Sequence, residues 1–102
     1  MYNEDFIARL TQLRLKHGVS ARDMSLSLGQ NSGYINNIEC GKALPSMSVF
    51  FFICDYFHIT PMEFFDLSNP NPEKIHEVTE NLKLLDDQQL SNLSAIIKGL
   101  IT

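Results

Sequence analysis

Apolar residues recur along this chain at spacings of three and four positions, which is the pattern of helices that bury one face. No stretch alternates apolar and polar residues for long enough to predict a strand. We therefore expect an all-α protein. The apolar stripes are, in chain order, Phe6, Leu10 and Leu13, then Met24 and Leu28, then Ile35 and Ile38, and then Val49, Phe50, Ile53, Cys54 and Phe57.

Residues that cap and end helices separate these stripes, most clearly between positions 20 and 41. Ser20 is placed to cap a second helix, and Asp23 three residues later completes the pattern of a capping box. Gly29 stands where a left-handed residue would end that helix. Asn31 is placed to cap a third helix. The apolar residues of these two short helices should face each other across the glycine turn.

The flanking helices have boundaries of the same kind. The loop GKALP separates the third helix from the fourth, because Pro45 keeps the residue before it extended. The expected caps and ends are Asn3 or Asp5 and then Gly18 for a first helix reaching about His17, Ser46 or Ser48 for a fourth helix reaching about Phe57, and Thr60, Pro61 and Glu63 for the start of a short fifth helix.

The segment SNPNP, residues 68–72, is the one clear boundary in the chain, because its two prolines cannot continue a helix. We assign residues 1–68 to one domain and residues 69–102 to a helical hairpin, whose second helix begins at a capping box of Asp86 and Gln89. Apolar residues at coiled-coil spacing give the hairpin an expected dimerisation face, formed by Ile75, Val78, Leu82, Leu90, Leu93, Ile97 and Leu100.

The pieces LRLKHGVS, LG, YINNIECGK, LPS and DYFHITPMEFF follow one another in an order and spacing that resemble the Cro/repressor type of helix-turn-helix protein, also called the XRE family. The resemblance covers roughly residues 6–65. It implies a five-helix, lambda-repressor-like domain that binds double-stranded DNA and regulates transcription, with a repressor as the expected kind of regulator. It also implies a structural ion pair between Arg14 and Glu39, which would join the first helix to the end of the third.

In such proteins the third helix, here Ser32 to about Cys40, lies in the major groove of the DNA. The residues expected at the base edges are Ser32, Gly33, Asn36 and Asn37. Asparagine pairs well with adenine and serine can bond several bases, so a mixed or A·T-leaning half-site is expected rather than a G-rich one. The residues expected at the DNA backbone are Ala21, Arg22, Asn31, Tyr34 and Lys42.

Three positions depart from the family pattern. Ala21 stands where a glutamine is common, Ser25 where a small alanine is usual, and Cys40 precedes the glycine that closes the third helix. Gly33 is also unusual on an exposed helix face, where glycine costs about 1 kcal/mol relative to alanine. It either permits close approach of the backbone to DNA or is simply tolerated in a short helix.

The net charge of −4 is unusual for a protein that binds a phosphate backbone. Residues 1–67 carry five Lys or Arg against seven Asp or Glu, and residues 68–102 carry three against five. Attraction to DNA must therefore come from a local patch. The acidic charge keeps two alternatives open, namely a protein-interaction module and an antitoxin, each of the same fold with weak or no independent DNA binding.

The stretch VFFFICDYF holds more aromatic residues than one core face needs, since Phe51, Phe52 and Tyr56 lie off the main stripe. The hairpin is the expected cover, either within one chain or from a partner chain. We favour a homodimer, because two-fold proteins of this type bind paired half-sites about 34 Å apart in a palindromic operator.

Catalytic and metal chemistry have no support in the sequence. His17, His58 and His76 are scattered, Cys40 and Cys54 have neither metal nor disulfide spacing, and no nucleophile and base can be paired. We expect no enzyme activity, no cofactor, no metal and no small-molecule ligand. The acidic start of the chain and the lack of a long apolar run predict a cytoplasmic protein without membrane association.

Overall fold

The computed structural model describes residues 2–102, and it confirms an all-α protein, since no strand occurs in that range. Seven helices follow one another: α1 (Tyr2–His17), α2 (Ala21–Ser27), α3 (Tyr34–Glu39), α4 (Met47–Tyr56), α5 (Pro61–Phe64), α6 (Pro72–Leu82) and α7 (Asp87–Ile101).

Two of the predicted capping boxes form in full. The Thr60 hydroxyl accepts a hydrogen bond of 3.2 Å from the Glu63 N–H, and the Glu63 carboxylate accepts one of 2.8 Å from the Thr60 N–H. Asp86 and Gln89 make the same reciprocal pair at the start of α7, at 2.8 and 3.0 Å. These helices therefore begin where the local sequence predicts.

Of the two hydrogen bonds of the capping box predicted at the start of α2, only one forms. The Ser20 hydroxyl accepts from the Asp23 N–H at 3.0 Å, which confirms Ser20 as the cap. Among the hydrogen bonds within residues 2–102 there is none in which the Asp23 carboxylate accepts from the Ser20 N–H. Aspartate is one methylene shorter than the glutamate or glutamine of a full box, so its carboxylate reaches less far back.

Two predicted helix starts are wrong. The first helix begins at Tyr2, so Asn3 and Asp5 lie inside its first turn and neither is its cap. The third helix begins at Tyr34 rather than Ser32, with Gly33 as its N-cap. Asn31 is not that cap, because its side-chain oxygen accepts from the Gly33 N–H at 3.0 Å and closes a turn before the helix starts.

The core lies where α1, α2, α3, α4 and α5 meet. Leu10, Met24 and Phe64 are among its fully buried side chains. Phe6, Phe50 and Phe64 pack as an aromatic cluster with ring centroids 5.1 to 5.9 Å apart. The core residues are Phe6, Leu10, Leu13, Met24, Ile35, Ile38, Phe50, Ile53, Cys54, Phe57, Ile59 and Phe64, and the apolar stripes supply most of them.

One charged side chain lies inside this core. Arg9 is only 1% exposed, and burial lowers its pKa, an effect that the Asp66 carboxylate partly opposes. Its guanidinium donates to the carbonyls of Phe64, Glu63 and Asn69 at 2.6, 2.9 and 2.8 Å. Arg9 thus satisfies the last carbonyls of α5 and holds the following loop against α1.

The C-terminal helices differ from the rest. The helices that lie closely against one another are α1 with α3, α2 with α3, α4 with α5, and α5 with α6, whereas α6 and α7 do not form such a pair. No residue of α7 is buried, and the molecule is 50 Å long against widths of 25 and 23 Å. The segment predicted as a hairpin contains two helices, α6 and α7, and the apolar face of α7 stays largely open to solvent.

The start of α6 is nevertheless attached to the first five helices. Pro72 is buried, and His76 lies 2.8 Å from the Glu63 carboxylate of α5. Two aromatic residues of α4 remain uncovered, since Phe51 is 47% and Phe52 55% exposed. The hairpin therefore does not cover them within one chain.

Candidate nucleic-acid interface

Helices α2 and α3 pack across a tight turn that begins at Gly29. This glycine has a φ of +74°, a left-handed conformation that ends α2 without the strain a side chain would cause. Met24 from α2 and Ile35 and Ile38 from α3 have no exposed surface, while Leu28 is half-buried against the same core. The apolar residues of the two helices thus face each other, as their spacing predicts.

The opposite side of α3 is polar and open to solvent. Asn36 and Asn37 are exposed on the helix, and Ser32 is exposed in the turn before it. The Cys40 thiol lies 3.8 Å from the Asn36 side-chain oxygen, so both side chains lie on this side of α3. We refer to Ser32, Gly33, Asn36 and Asn37 as the polar face of α3.

Gly33 occupies a different place from the one the sequence predicts. It is the N-cap of α3, with a φ of −96°, and not a residue of the helix interior. Glycine is a tolerated N-cap, so the expected loss of about 1 kcal/mol does not apply. A Cβ built at Gly33 would meet only the Asn31 side-chain oxygen at 3.7 Å, an ordinary contact. The fold therefore does not demand glycine at this position.

The C-terminal end of α3 is held by α1. Arg14 donates to the two carboxylate oxygens of Glu39 at 2.7 and 2.9 Å, and its third hydrogen bond goes to the Val19 carbonyl at 3.0 Å. Both side chains are mostly buried, at 15% and 13% exposed. The hydrogen bonds to Glu39 raise the Arg14 pKa and outweigh the opposite effect of burial. The residues predicted to pair are thus brought together.

The N-terminal end of α3 is held by α2, through a residue that the sequence did not identify as important. Ser25 has no exposed surface. Its hydroxyl accepts a hydrogen bond of 2.9 Å from the Ile35 N–H and donates one of 2.7 Å to the Ala21 carbonyl. The only sequence signal was a polar residue at a packed position. Both ends of α3 are therefore fixed by side chains of other helices.

The residues expected at the DNA backbone differ in how far they are exposed to solvent. Arg22, Asn31 and Lys42 are exposed, whereas Ala21 and Tyr34 are half-buried. Burial raises the pKa of Tyr34, so its hydroxyl stays protonated and able to donate. Their relation to a phosphate backbone remains an expectation.

Positive charge near the polar face is scarce. Arg9 and Arg14 use their guanidinium groups within the fold. Of the five Lys and Arg residues in positions 1–67, this leaves Lys16, Arg22 and Lys42, all of which are exposed. Any ion pair between this part of the protein and phosphates must rely on these three charges.

The remaining polar groups do not form a site for a metal. His17 lies 3.8 Å from Glu73 and His76 lies beside Glu63, each as a single pair. Within residues 2–102, no three His, Cys, Asp or Glu side chains are close enough together to hold an ion. In the same range, no helix has the length and apolar character needed to cross a membrane.

Comparison with known proteins adds no assignment, since no family model, no curated protein and no solved structure matches the chain. The candidate function therefore depends on the geometry of α2 and α3 and on the charges around them.

Proposed function

We propose that this protein is a transcriptional regulator, of the repressor type, that binds double-stranded DNA sequence-specifically as a homodimer. In this proposal residues 1–68 are a five-helix, lambda-repressor-like domain of the Cro/repressor or XRE type. Helices α2 and α3 are its helix-turn-helix, and α3 enters the major groove. Residues 69–102 provide the association element.

One observation supports this proposal above the others. The polar face of α3 is exposed directly opposite Ile35 and Ile38, which have no exposed surface. A six-residue helix that offers two amides to solvent, with an exposed serine hydroxyl in the turn before it and both its ends fixed, is suited to entering a groove without losing order.

The chemistry of the polar face predicts the bases it reads. The carboxamide of Asn36 or Asn37 can donate to N7 of adenine and accept from its N6 amino group as a bidentate pair. Ser32 can bond to several bases. A half-site with A·T pairs at its centre is therefore expected, and guanine contacts, which favour Arg or Lys, are not.

Anchoring to the backbone falls to Arg22 and Lys42, assisted by Tyr34, Asn31 and the main chain at Ala21. Because few cations are available, the binding constant should fall only shallowly with salt. Specific contacts would then contribute a larger share of the affinity than in a basic protein.

Dimerisation through α6 and α7 would supply the two-fold symmetry of a palindromic operator. The residues concerned are exposed or half-buried within one chain, and they are Ile75, Val78, Leu82, Leu90, Leu93, Ile97 and Leu100. A helix with such an apolar stripe and no buried residue is unstable alone in water, so a partner face is needed.

The test is selection of bound sequences from a random duplex pool at two salt concentrations. Enrichment of a palindrome, with a shallow salt dependence, is the expected result. The variant Asn36→Ala should lose the preference for one base in each half-site, whereas Ser27→Ala, an exposed control on α2, should select the same palindrome as the unchanged protein. A selected site dominated by guanine contacts would contradict the assigned reading residues.

A protein-interaction module is the second candidate, and an apolar surface favours it. A cavity of about 290 Å³ lies between α1, the loop before α4 and the residue after α5. Leu44, Met47 and Phe65 line it, and each has more than half of its surface exposed. If no DNA sequence is enriched at either salt concentration, this candidate replaces the regulator.

A further inference from the structure

Helix α3 has only six residues, and a helix this short does not hold its own shape in water. The first N–H groups of any helix also lack acceptors within the helix. The N-cap of α3 is Gly33, which has no side chain to supply one. The Ile35 N–H, in this first turn, is bonded instead to the Ser25 hydroxyl of α2.

The geometry of Ser25 leaves little freedom. Its hydroxyl proton is directed to the Ala21 carbonyl at 2.7 Å, so a lone pair of the same oxygen is left to accept from Ile35 at 2.9 Å. The side chain is fully buried, so water has no access to replace its hydroxyl as the acceptor. We call these two consecutive hydrogen bonds, from the Ile35 N–H to the Ser25 hydroxyl and from that hydroxyl to the Ala21 carbonyl, the Ser25 relay. The relay joins the first turn of α3 to the first turn of α2.

The two ends of this relay belong to different parts of the proposed interface. Ala21 begins α2 beside Arg22, an expected backbone contact, and Ile35 immediately precedes Asn36 on α3. A shift of the first turn of α3 would therefore move the base-reading amides relative to the backbone contacts. It would leave the exposed charges themselves unchanged.

We infer that Ser25 is a positioning residue, which sets the base-reading end of α3 relative to the backbone-contacting end of α2 and thereby contributes to sequence discrimination rather than to general DNA affinity. This inference rests on the proposed function. It concerns a side chain that touches no DNA and acts through the Ile35 main chain.

The first test does not involve DNA and compares amide hydrogen exchange at Ile35 and Ile38. In Ser25→Ala the Ile35 amide should exchange on the order of tenfold faster, because its acceptor is lost, and Ile38 should change much less. Ser25→Cys, whose sulfur accepts weakly, should lie in between, and Ser27→Ala should match the unchanged protein. Equal acceleration at Ile35 and Ile38 would mean that Ser25 only fills space, which overturns the inference.

The second test is the ratio of affinities for the selected duplex and a scrambled duplex at one salt concentration. Ser25→Ala should lower this ratio about tenfold and leave the salt dependence unchanged. Lys42→Ala should weaken binding to both duplexes alike. An unchanged ratio in Ser25→Ala overturns the inference. If the unchanged protein selects no duplex, the proposed function fails, whereas the exchange comparison still decides whether Ser25 fixes α3.

Discussion

The Nε of Arg9 donates a hydrogen bond of 2.6 Å to the carbonyl of Phe64, fifty-five residues later in the chain. The same guanidinium reaches two further carbonyls, those of Glu63 and Asn69. A helix of four residues such as α5 leaves its last carbonyls without donor partners within the helix, and here Arg9 of α1 donates to them. Arg9 therefore closes the end of α5 and fixes the loop that leads to α6.

We expect Arg9→Met to be among the most destabilising single substitutions in the chain. Methionine keeps the apolar stem but removes the guanidinium that bonds three carbonyls, of which Glu63 keeps the Asp66 N–H at 3.2 Å as another donor. The change should therefore cost about 3 kcal/mol in the free energy of unfolding. Arg22→Met, the same change at an exposed position, should stay within about 0.5 kcal/mol of the unchanged protein. Urea denaturation of both variants measures the difference. Equal midpoints would show that the buried guanidinium adds nothing.

Arg14→Leu should lower stability without selectively removing base discrimination. The substitution leaves the Glu39 carboxylate mostly buried without its partner, which should cost about 2 to 3 kcal/mol. Thermal melting followed by circular dichroism measures the loss, and competition with scrambled duplex measures discrimination below the melting temperature. Normal melting of Arg14→Leu would refute a structural role for the pair.

Removal of either exposed cation beside the polar face should reduce the salt dependence of DNA binding. Arg22→Ala and Lys42→Ala should each lower the slope of log affinity against log salt by about one, with weaker binding to every sequence. Lys98→Ala, in the last turn of α7, is the matched control and should leave the slope unchanged. A slope that does not move in either variant would place the phosphate contacts elsewhere.

The double variant Leu93→Glu, Ile97→Glu should abolish self-association. Each substitution puts an unpaired carboxylate on the proposed dimer face, so we expect association to weaken about 100-fold or more. Ser91→Glu, Ser94→Glu adds the same charge to the same helix at exposed serines and should remain dimeric. Sedimentation at micromolar concentration distinguishes the states. An unchanged protein that sediments as a monomer would overturn the dimer.

Burial of the Cys54 thiol makes the free energy of unfolding depend on pH, and it also determines the direction of that dependence. Burial, assisted by the nearby Asp55 carboxylate, raises the pKa of the thiol from 9.0 to about 11. Below pH 9 the thiol is protonated in both states and contributes nothing to pH dependence. Between pH 9 and 11 the unfolded chain loses the proton while the folded chain keeps it, so stability falls with a slope of about 1.4 kcal/mol per pH unit.

The measurement for Cys54 compares unfolding free energies of the unchanged protein and Cys54→Ala across that range. Other groups titrate in both proteins, so the difference between the two isolates the thiol. The alanine variant should start less stable, because it leaves a small cavity, and the gap should narrow as the pH rises to 11. A constant gap would mean that the thiol does not titrate differently in the two states.

Local features of this fold were predictable from the sequence, because their causes lie within three or four residues. Ser20, Thr60 and Asp86 cap helices because each serine, threonine or aspartate reaches an N–H three residues later. The predicted cap at Asn31 was wrong for a reason that is also local. Its side-chain oxygen accepts from the Gly33 N–H, two residues later, instead of from an N–H of the helix. The choice between two neighbouring donors depends on turn geometry that the residue types alone do not determine.

The long-range contacts were harder to predict. The Arg9 acceptors are main-chain carbonyls, which have no signature in the residue types, although position 9 lies between Phe6 and Leu10 on the buried stripe. Ser25 bonds to a main-chain N–H of α3 and was equally hidden. The Arg14 and Glu39 pairing came from a family resemblance and not from spacing. Periodicity identified an apolar face on α7, but it could not show that α6 would leave that face open.

In the proposed homodimer, the open face of α7 would make DNA binding depend on the concentration of the protein itself. If α7 orders fully only against a second chain, folding and association become one equilibrium, and the paired form rises with the square of the protein concentration. Operator occupancy would then switch on over a narrow range of expression level. A fifteen-residue helix without a buried side chain would thus set a threshold of protein concentration for operator binding.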